Sequence, residues 1–248
     1  MISVVYAWLA ILTVACVLVM NGWLALTLQR LSVPADKTRR MVATSVLGLF
    51  GWLLISGALA YSGFLAQWDA RPPHLAVIPL VALIAVVLIH RASGFRRLIE
   101  ITPRHWPVAM ESFRIGVELA FWGLFLAGGA PTQVTFEGRN FDVLVGLSAP
   151  LIALAIMRFK LSPRWVIVWN VAGLGILFNT IITTFTSTPG PLHLNWPGEP
   201  FTAFATWPFV WIPGLLAPLA IFLHLFSIRQ NAALIRQNKA PEGLHTKP

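Results

Sequence analysis

Apolar residues fall into seven long runs, 3–28, 42–65, 75–92, 105–128, 141–158, 165–187 and 206–228, separated by short polar gaps. About 20 apolar residues, each rising ~1.5 Å, cross the hydrocarbon core of a bilayer. A backbone surrounded by lipid has to satisfy its own hydrogen bonds. The pattern therefore predicts an all-α integral membrane protein, a seven-transmembrane-helix bundle. Residues 1–230 read as a single membrane domain and 231–248 as a polar cytoplasmic tail, with no room for a separate extramembrane domain. The third run is the least regular, because its clean apolar stretch ends at Ile89 and Pro79 interrupts its first turns.

Composition narrows the class. The chain of 248 residues is 57% hydrophobic and 11% charged, against roughly 25% charged in soluble domains. That excludes a soluble globular domain, a disordered chain and a collagen-like repeat. The formal charge of +9, from 18 Lys+Arg against 9 Asp+Glu, suggests nucleic acid until the bases are placed. Fifteen of them, from Arg30 to Lys247, fall on one side of the seven runs; only Arg71 and Arg139 fall on the other, and Arg114 lies inside a run. This asymmetry puts the N-terminus outside and the C-terminus in the cytoplasm. It predicts a multi-pass protein of the plasma (inner) membrane with the bilayer, not nucleic acid, as its partner. The first run lacks a basic leader and a small-residue cleavage site, so it reads as a retained helix. Trp8, Trp68, Trp196, Trp207 and Trp211 near one boundary and Trp23, Trp106, Trp165 and Trp169 near the other form the two aromatic belts. The single cysteine, Cys16, excludes an intramolecular disulfide.

An internal echo links the third and seventh runs. Ile78-Pro79, His90 and Ser93 recur as Ile212-Pro213, His224 and Ser227, each offset by 134 positions. The echo predicts a 3+1+3 parallel repeat with His90 and His224 at equal depth near the cytoplasmic face.

The chemistry concentrates in the fourth run. Glu111, Arg114 and Glu118 fall within an arc of about 60° on one helix face, continued by Trp122. Arg114 can reach Glu111 at i−3 and Glu118 at i+4. Each ionised group deep in a span costs roughly 2.5–3.5 kcal/mol to insert, so three on one face are expected to point into the bundle. They are the first candidate for a substrate or ion site, with a structural clamp as the alternative. Glu118 lies nearest the midplane, where desolvation favours proton exchange and the Arg114 charge opposes it.

His90 and His224 are candidate gates or cofactor ligands, haem included, although interfacial hydrogen bonding explains them as well. The cofactor, if there is one, is otherwise undefined. No HExxH, CxxC or HxxxH spacing accompanies them, so no metal motif is expected. Pro208 reads as opening the seventh helix, and Pro213 and Pro218 inside it predict a kink or unwinding, either of the kind that lines transporter cavities or a static kink shaped by packing. Asn179, Thr183 and Thr186 form a polar stripe on the sixth run, a candidate vestibule lining, on the face opposite Asn170. Asn140 and Asp142 read as a helix cap and an acidic first turn, and Glu137-Gly138-Arg139 as a tight outer turn. No Lys lies in any run, which excludes a retinal Schiff base, and no Walker loop, GxSxG or dinucleotide fingerprint occurs. Three function classes remain. Translocation or binding of a small polar or ionic solute through the Glu–Arg–Glu face stands first. A membrane-embedded enzyme or cofactor protein acting on lipid, quinone or haem stands second, and a non-catalytic sensor or assembly subunit third.

Overall fold

The computed structural model describes residues 1–238; residues 239–248, with His245 and most of the expected tail, lie outside them. The described chain is all-helical, with no strand among its residues. The helices are α1 (Ile2–Arg30), α2 (Ala35–Tyr61), α3 (Val77–Arg91), α4 (Phe95–Ile101), α5 (His105–Met110), α6 (Phe113–Leu126), α7 (Asp142–Arg158), α8 (Pro163–Ser187) and α9 (Ala217–Gln237). Among the described residues five helical segments are individually long and apolar enough to cross a membrane: α1, α2, α3 with its leading turn, α8, and α9 with the turn before it.

The two other runs differ for local reasons. The fourth is divided into α5 and α6 because the Glu111 and Ser112 N–H groups bond back only three residues, to Val108 and Ala109 at 3.1 and 3.2 Å. That tightening sets Glu111 in a turn. The fifth gives α7, which has 17 residues and Pro150 in its interior. The short α4, amphipathic rather than apolar, occupies what the hydropathy pattern leaves as a loop. At the other end α9 extends to Gln237, so the start of the expected tail is helical and its Asn231 is buried.

Small residues set the close approaches. A Cβ on Gly116 or Gly123 of α6 would sit 2.8 Å from Leu12 or Val5 of α1. Trp8 Nε1 donates to the Gly116 carbonyl at 2.8 Å across the same contact. On α8 a Cβ at Gly173 would sit 2.5 Å from the His224 ring, so glycine makes room for that histidine as α8 packs along α9.

The seventh run unwinds locally, as its inner prolines predict. After non-helical residues 206–210 it forms a π-helical turn, Ile212–Leu216, before α9. Pro218 has no N–H to offer the Gly214 carbonyl four residues earlier, and the indole Nε1–H of Trp52 on α2 donates to that oxygen at 2.8 Å. Trp211 returns the contact, donating to the Leu53 carbonyl at 3.0 Å.

Two connections fold inward instead of lying on the surface. Between α6 and α7, Gln133, Val134, Thr135 and Asn140 are buried. Gly138 permits the tight turn there, since its Cβ would sit 2.4 Å from the Thr132 carbonyl oxygen. After α8, Phe201, Phe204 and Ala205 are buried against Phe121, Phe185 and Phe209. This aromatic plug seals the end of the bundle where α8 stops.

The packing does not reproduce the 3+1+3 repeat. α8 lies closely along α9, whereas α2 and α3, their expected counterparts, barely touch and both lean on the 212–216 turn. His224 is fully buried, while His90 is partly exposed and donates Nδ1–H to the Val86 carbonyl at 3.0 Å. The two histidines therefore have different surroundings.

Candidate functional site

The inward face of α6 carries a buried guanidinium, and the elements around it supply its partners. Glu111, Arg114, Glu118, Asn140 and His224 are each 2% exposed or less. Arg114 Nε donates to Asp142 Oδ2 at 3.2 Å and Nη2 donates to Oδ1, a bidentate pair. Asp142 begins α7, where a carboxylate also meets the positive end of the helix dipole. Arg114 Nη1 lies 3.0 Å from His224 Nε2 and 3.6 Å from Glu111 Oε2.

The hydrogen-bond directions define the histidine. A guanidinium only donates, so His224 Nε2 accepts and Nδ1 carries the proton, donating to Asn170 Oδ1 at 2.9 Å. Asn170 then spends its amide N–H groups on the Val166 carbonyl and Ser227 Oγ, at 2.7 and 2.9 Å. Asn231 Nδ2 donates to the Ser227 carbonyl at 2.8 Å, and Arg104 clasps Asn231 Oδ1 from Nε and Nη2 at 2.9 and 2.7 Å. A continuous polar chain thus runs from Arg104 to the Arg114–Asp142 pair.

On the other side of the pair, Asn140 links the Glu118 carboxyl to the Asp142 backbone. Its Nδ2 donates to Glu118 Oε1 at 2.6 Å and to the Val134 carbonyl at 3.0 Å, while its Oδ1 accepts the Asp142 N–H at 3.1 Å. Thr180 Oγ1 lies 2.7 Å from Asn140 Oδ1 and 3.1 Å from Asp142 Oδ1. Three carboxyl oxygens of the cluster, both of Glu111 and Oε2 of Glu118, are buried without a hydrogen-bond partner among the described residues. His224 Nε2 stands 3.6 Å from Glu111 Oε1.

Beside the pair lies a cavity of about 200 Å³ walled by α3, α6, α8 and the start of the last helix. Arg114, Asp142, Thr180 and Thr184 are its polar residues; the rest of the wall is apolar, including Leu83, Val117, Phe121, Leu177 and Pro213.

The sequence-derived residues divide accordingly. Glu111, Arg114 and Glu118 face inward as expected, but the pairing differs. Arg114 takes Asp142 as its main partner, and Glu118 bonds to Asn140 instead of the guanidinium. Asp142 belongs to the site as well as to the first turn of α7. His224 joins the cluster; His90 stays outside it, against Phe95 and Phe222. Both nitrogens of His224 are engaged, by Arg114 and Asn170, which leaves no lone pair for a haem iron. On α8 the residues that reach the cluster are Asn170, through His224, and Thr180. Asn179 instead donates to the Arg139 carbonyl at 2.7 Å, and Thr183 is buried with its carbonyl taken by Ser187 Oγ. Trp122 points away, donating to Glu137 Oε1 at 2.6 Å.

No family model matches the chain, and no curated protein or solved structure shows significant similarity to it. The class that fold and composition define is a membrane-embedded all-α protein.

Proposed function

We propose that the chain crosses the bilayer seven times, with α5 and α6 together as the fourth crossing and α7 as the fifth, N-terminus outside and C-terminus in the cytoplasm. We further propose that its working part is a proton-exchanging site made of Glu111, Arg114, Glu118, Asp142 and His224, serving the binding or translocation of a small solute or ion. One observation carries this reading: three buried carboxyl groups surround one buried guanidinium. Asp142 balances Arg114, and His224, protonated on Nδ1 alone, adds no charge. Unmatched buried charge costs several kcal/mol per ion, so Glu111 and Glu118 are balanced by protons or by a bound cation. Their unpartnered oxygens are the atoms that would hold either.

The test is infrared difference spectroscopy of the reconstituted protein through a pH jump. A protonated-carboxyl band that changes with pH in the parent, and loses amplitude in Glu118→Gln and in Glu111→Gln, is the expected result. Absence of any pH-dependent carboxyl band, in a protein whose Glu118→Gln variant keeps its full pH-dependent binding, would replace this reading with that of a static clamp.

A further inference from the structure

The cavity beside Arg114 and Asp142 differs from a vestibule for a water-soluble solute in its walls, its mouth and its charge. Its rim is apolar. Pro79 and Leu83 of α3 stand on one side, Ile181 and Phe185 of α8 on the other, and Ile221 of α9 completes it. α3 and α8 do not pack closely on each other, and Leu83 and Ile181 at this gap are not buried. Both helices are apolar enough to span a membrane, so the gap between them opens onto hydrocarbon. The aromatic plug, whose Phe204 forms part of the wall, covers the end where α8 stops. A ligand that enters through this gap has to dissolve in the bilayer first.

The polar end of the cavity limits the head of such a ligand. Arg114 is already neutralised by the bidentate Asp142, and Glu111 and Glu118 stand behind the pair. An anionic head would meet a guanidinium whose charge Asp142 already neutralises, and a cationic one would have to cross hydrocarbon unpaired. What the pair still offers is neutral hydrogen bonding: an Nη2 N–H beyond the one given to Asp142, the lone pairs of Asp142, and the Thr180 hydroxyl. Those groups suit a carbonyl or a hydroxyl. Size completes the argument, since an apolar protein cavity of about 150 Å³ accommodates one benzene ring, and this one is about 200 Å³.

We propose that this cavity binds an uncharged, ring-headed, lipid-soluble ligand of the quinone, quinol or phenol class, entering between α3 and α8 and seating its oxygen on the Arg114–Asp142 pair. The inference rests on the cluster being the working site, and it concerns binding alone.

Isothermal titration calorimetry of the protein in lipid nanodiscs separates the alternatives with three probes of one chain length. These are decylubiquinone, 1-decanol and decanoate. Saturable one-to-one binding of decylubiquinone, at least tenfold tighter than either of the others, is expected. Leu83→Trp at the mouth and Thr180→Val at the polar end should each weaken it at least tenfold. Equal binding of decanol removes the ring requirement, tighter binding of decanoate removes the neutral head, and no saturable binding of any probe removes the ligand. The parent protein alone decides these three outcomes, so a variant that fails to fold leaves the inference falsifiable. Binding unchanged in both folded variants overturns the location. Loss of decylubiquinone binding with the pH-dependent carboxyl band intact would sink this inference and spare the proton site; the reverse pattern would do the opposite.

Discussion

The helices near the two ends of the described chain differ in burial, most of all α2 and the last segment, while α1 and α8 are alike at 28% and 33%. In the most apolar window of α2 only 11% of residues are buried inside the protein, against 67% in the Ile212–Gln237 segment. Polar groups follow the same division. On α1 the buried Thr13, Asn21 and Thr27 each bond to their own helix four residues back, to the carbonyls of Leu9, Val17 and Trp23 at 2.8, 2.8 and 2.9 Å. Around α6 to α9 the buried polar groups bond mainly across elements: Arg114 to α7, His224 to α8 and Arg104 to α9. A helix that faces lipid has to satisfy its polar side chains at home, whereas an enclosed helix can share them with its neighbours. Chemistry therefore collects where sharing is available.

Breaking a shared bond should cost most. Arg114→Ala leaves Asp142, Glu111 and Glu118 buried without their cation, and removing one partner of a buried pair typically costs about 3–5 kcal/mol. A large fall in the detergent unfolding midpoint, or loss of folded yield, is the expected outcome; a midpoint within a degree of the parent would contradict the pairing. Gly173→Ala comes next. Its new Cβ would sit 2.5 Å from the His224 ring, and overpacking of this kind costs about 1–3 kcal/mol. Gly175→Ala on the same helix has nothing within 4 Å and should be neutral or stabilising by up to ~1 kcal/mol. Equal thermal shifts for the two alanines would refute the close α8–α9 contact. The smallest effect is expected on α1, where Thr13→Val replaces a self-bonded hydroxyl by a methyl group. Polar side-chain bonds inside membrane proteins average ~0.6 kcal/mol, and the change should not exceed that in reversible unfolding. A cost comparable to Arg114→Ala would erase the contrast between the two regions.

The same contrast explains what the sequence revealed. Bonds between near neighbours on one helix follow from spacing, so Glu111, Arg114 and Glu118 were legible as one inward face. The partners of that face come from elsewhere and were not. Asp142 looks like an ordinary acidic first turn, and it reaches Arg114 because the 127–141 connection folds into the interior, a path that spacing does not encode. The one available signal was a carboxylate opening an apolar run just after a buried cation in need of one. Thr180 was missed for a similar reason. The helical stripe of Asn179, Thr183 and Thr186 is real as a pattern, but which side of α8 faces the cluster is decided by Gly173 and Asn170 packing on α9. The fold class was legible because hydropathy is additive along a run. The division at Glu111–Ser112 depends on a single tight turn, and although polar residues interrupt the apolar run there, polarity alone does not specify such a turn.

The bond from Trp52 to the Gly214 carbonyl has a mechanical consequence. The π-helical turn before α9 is braced by a strut from α2, the least buried of the five membrane-length segments, and that turn contributes Ile212, Pro213 and Leu216 to the cavity wall. Membrane helices respond to a change in bilayer thickness by tilting. A tilt of α2 would pull through that indole on the turn it braces, which would make bilayer thickness an input to the shape of the chamber.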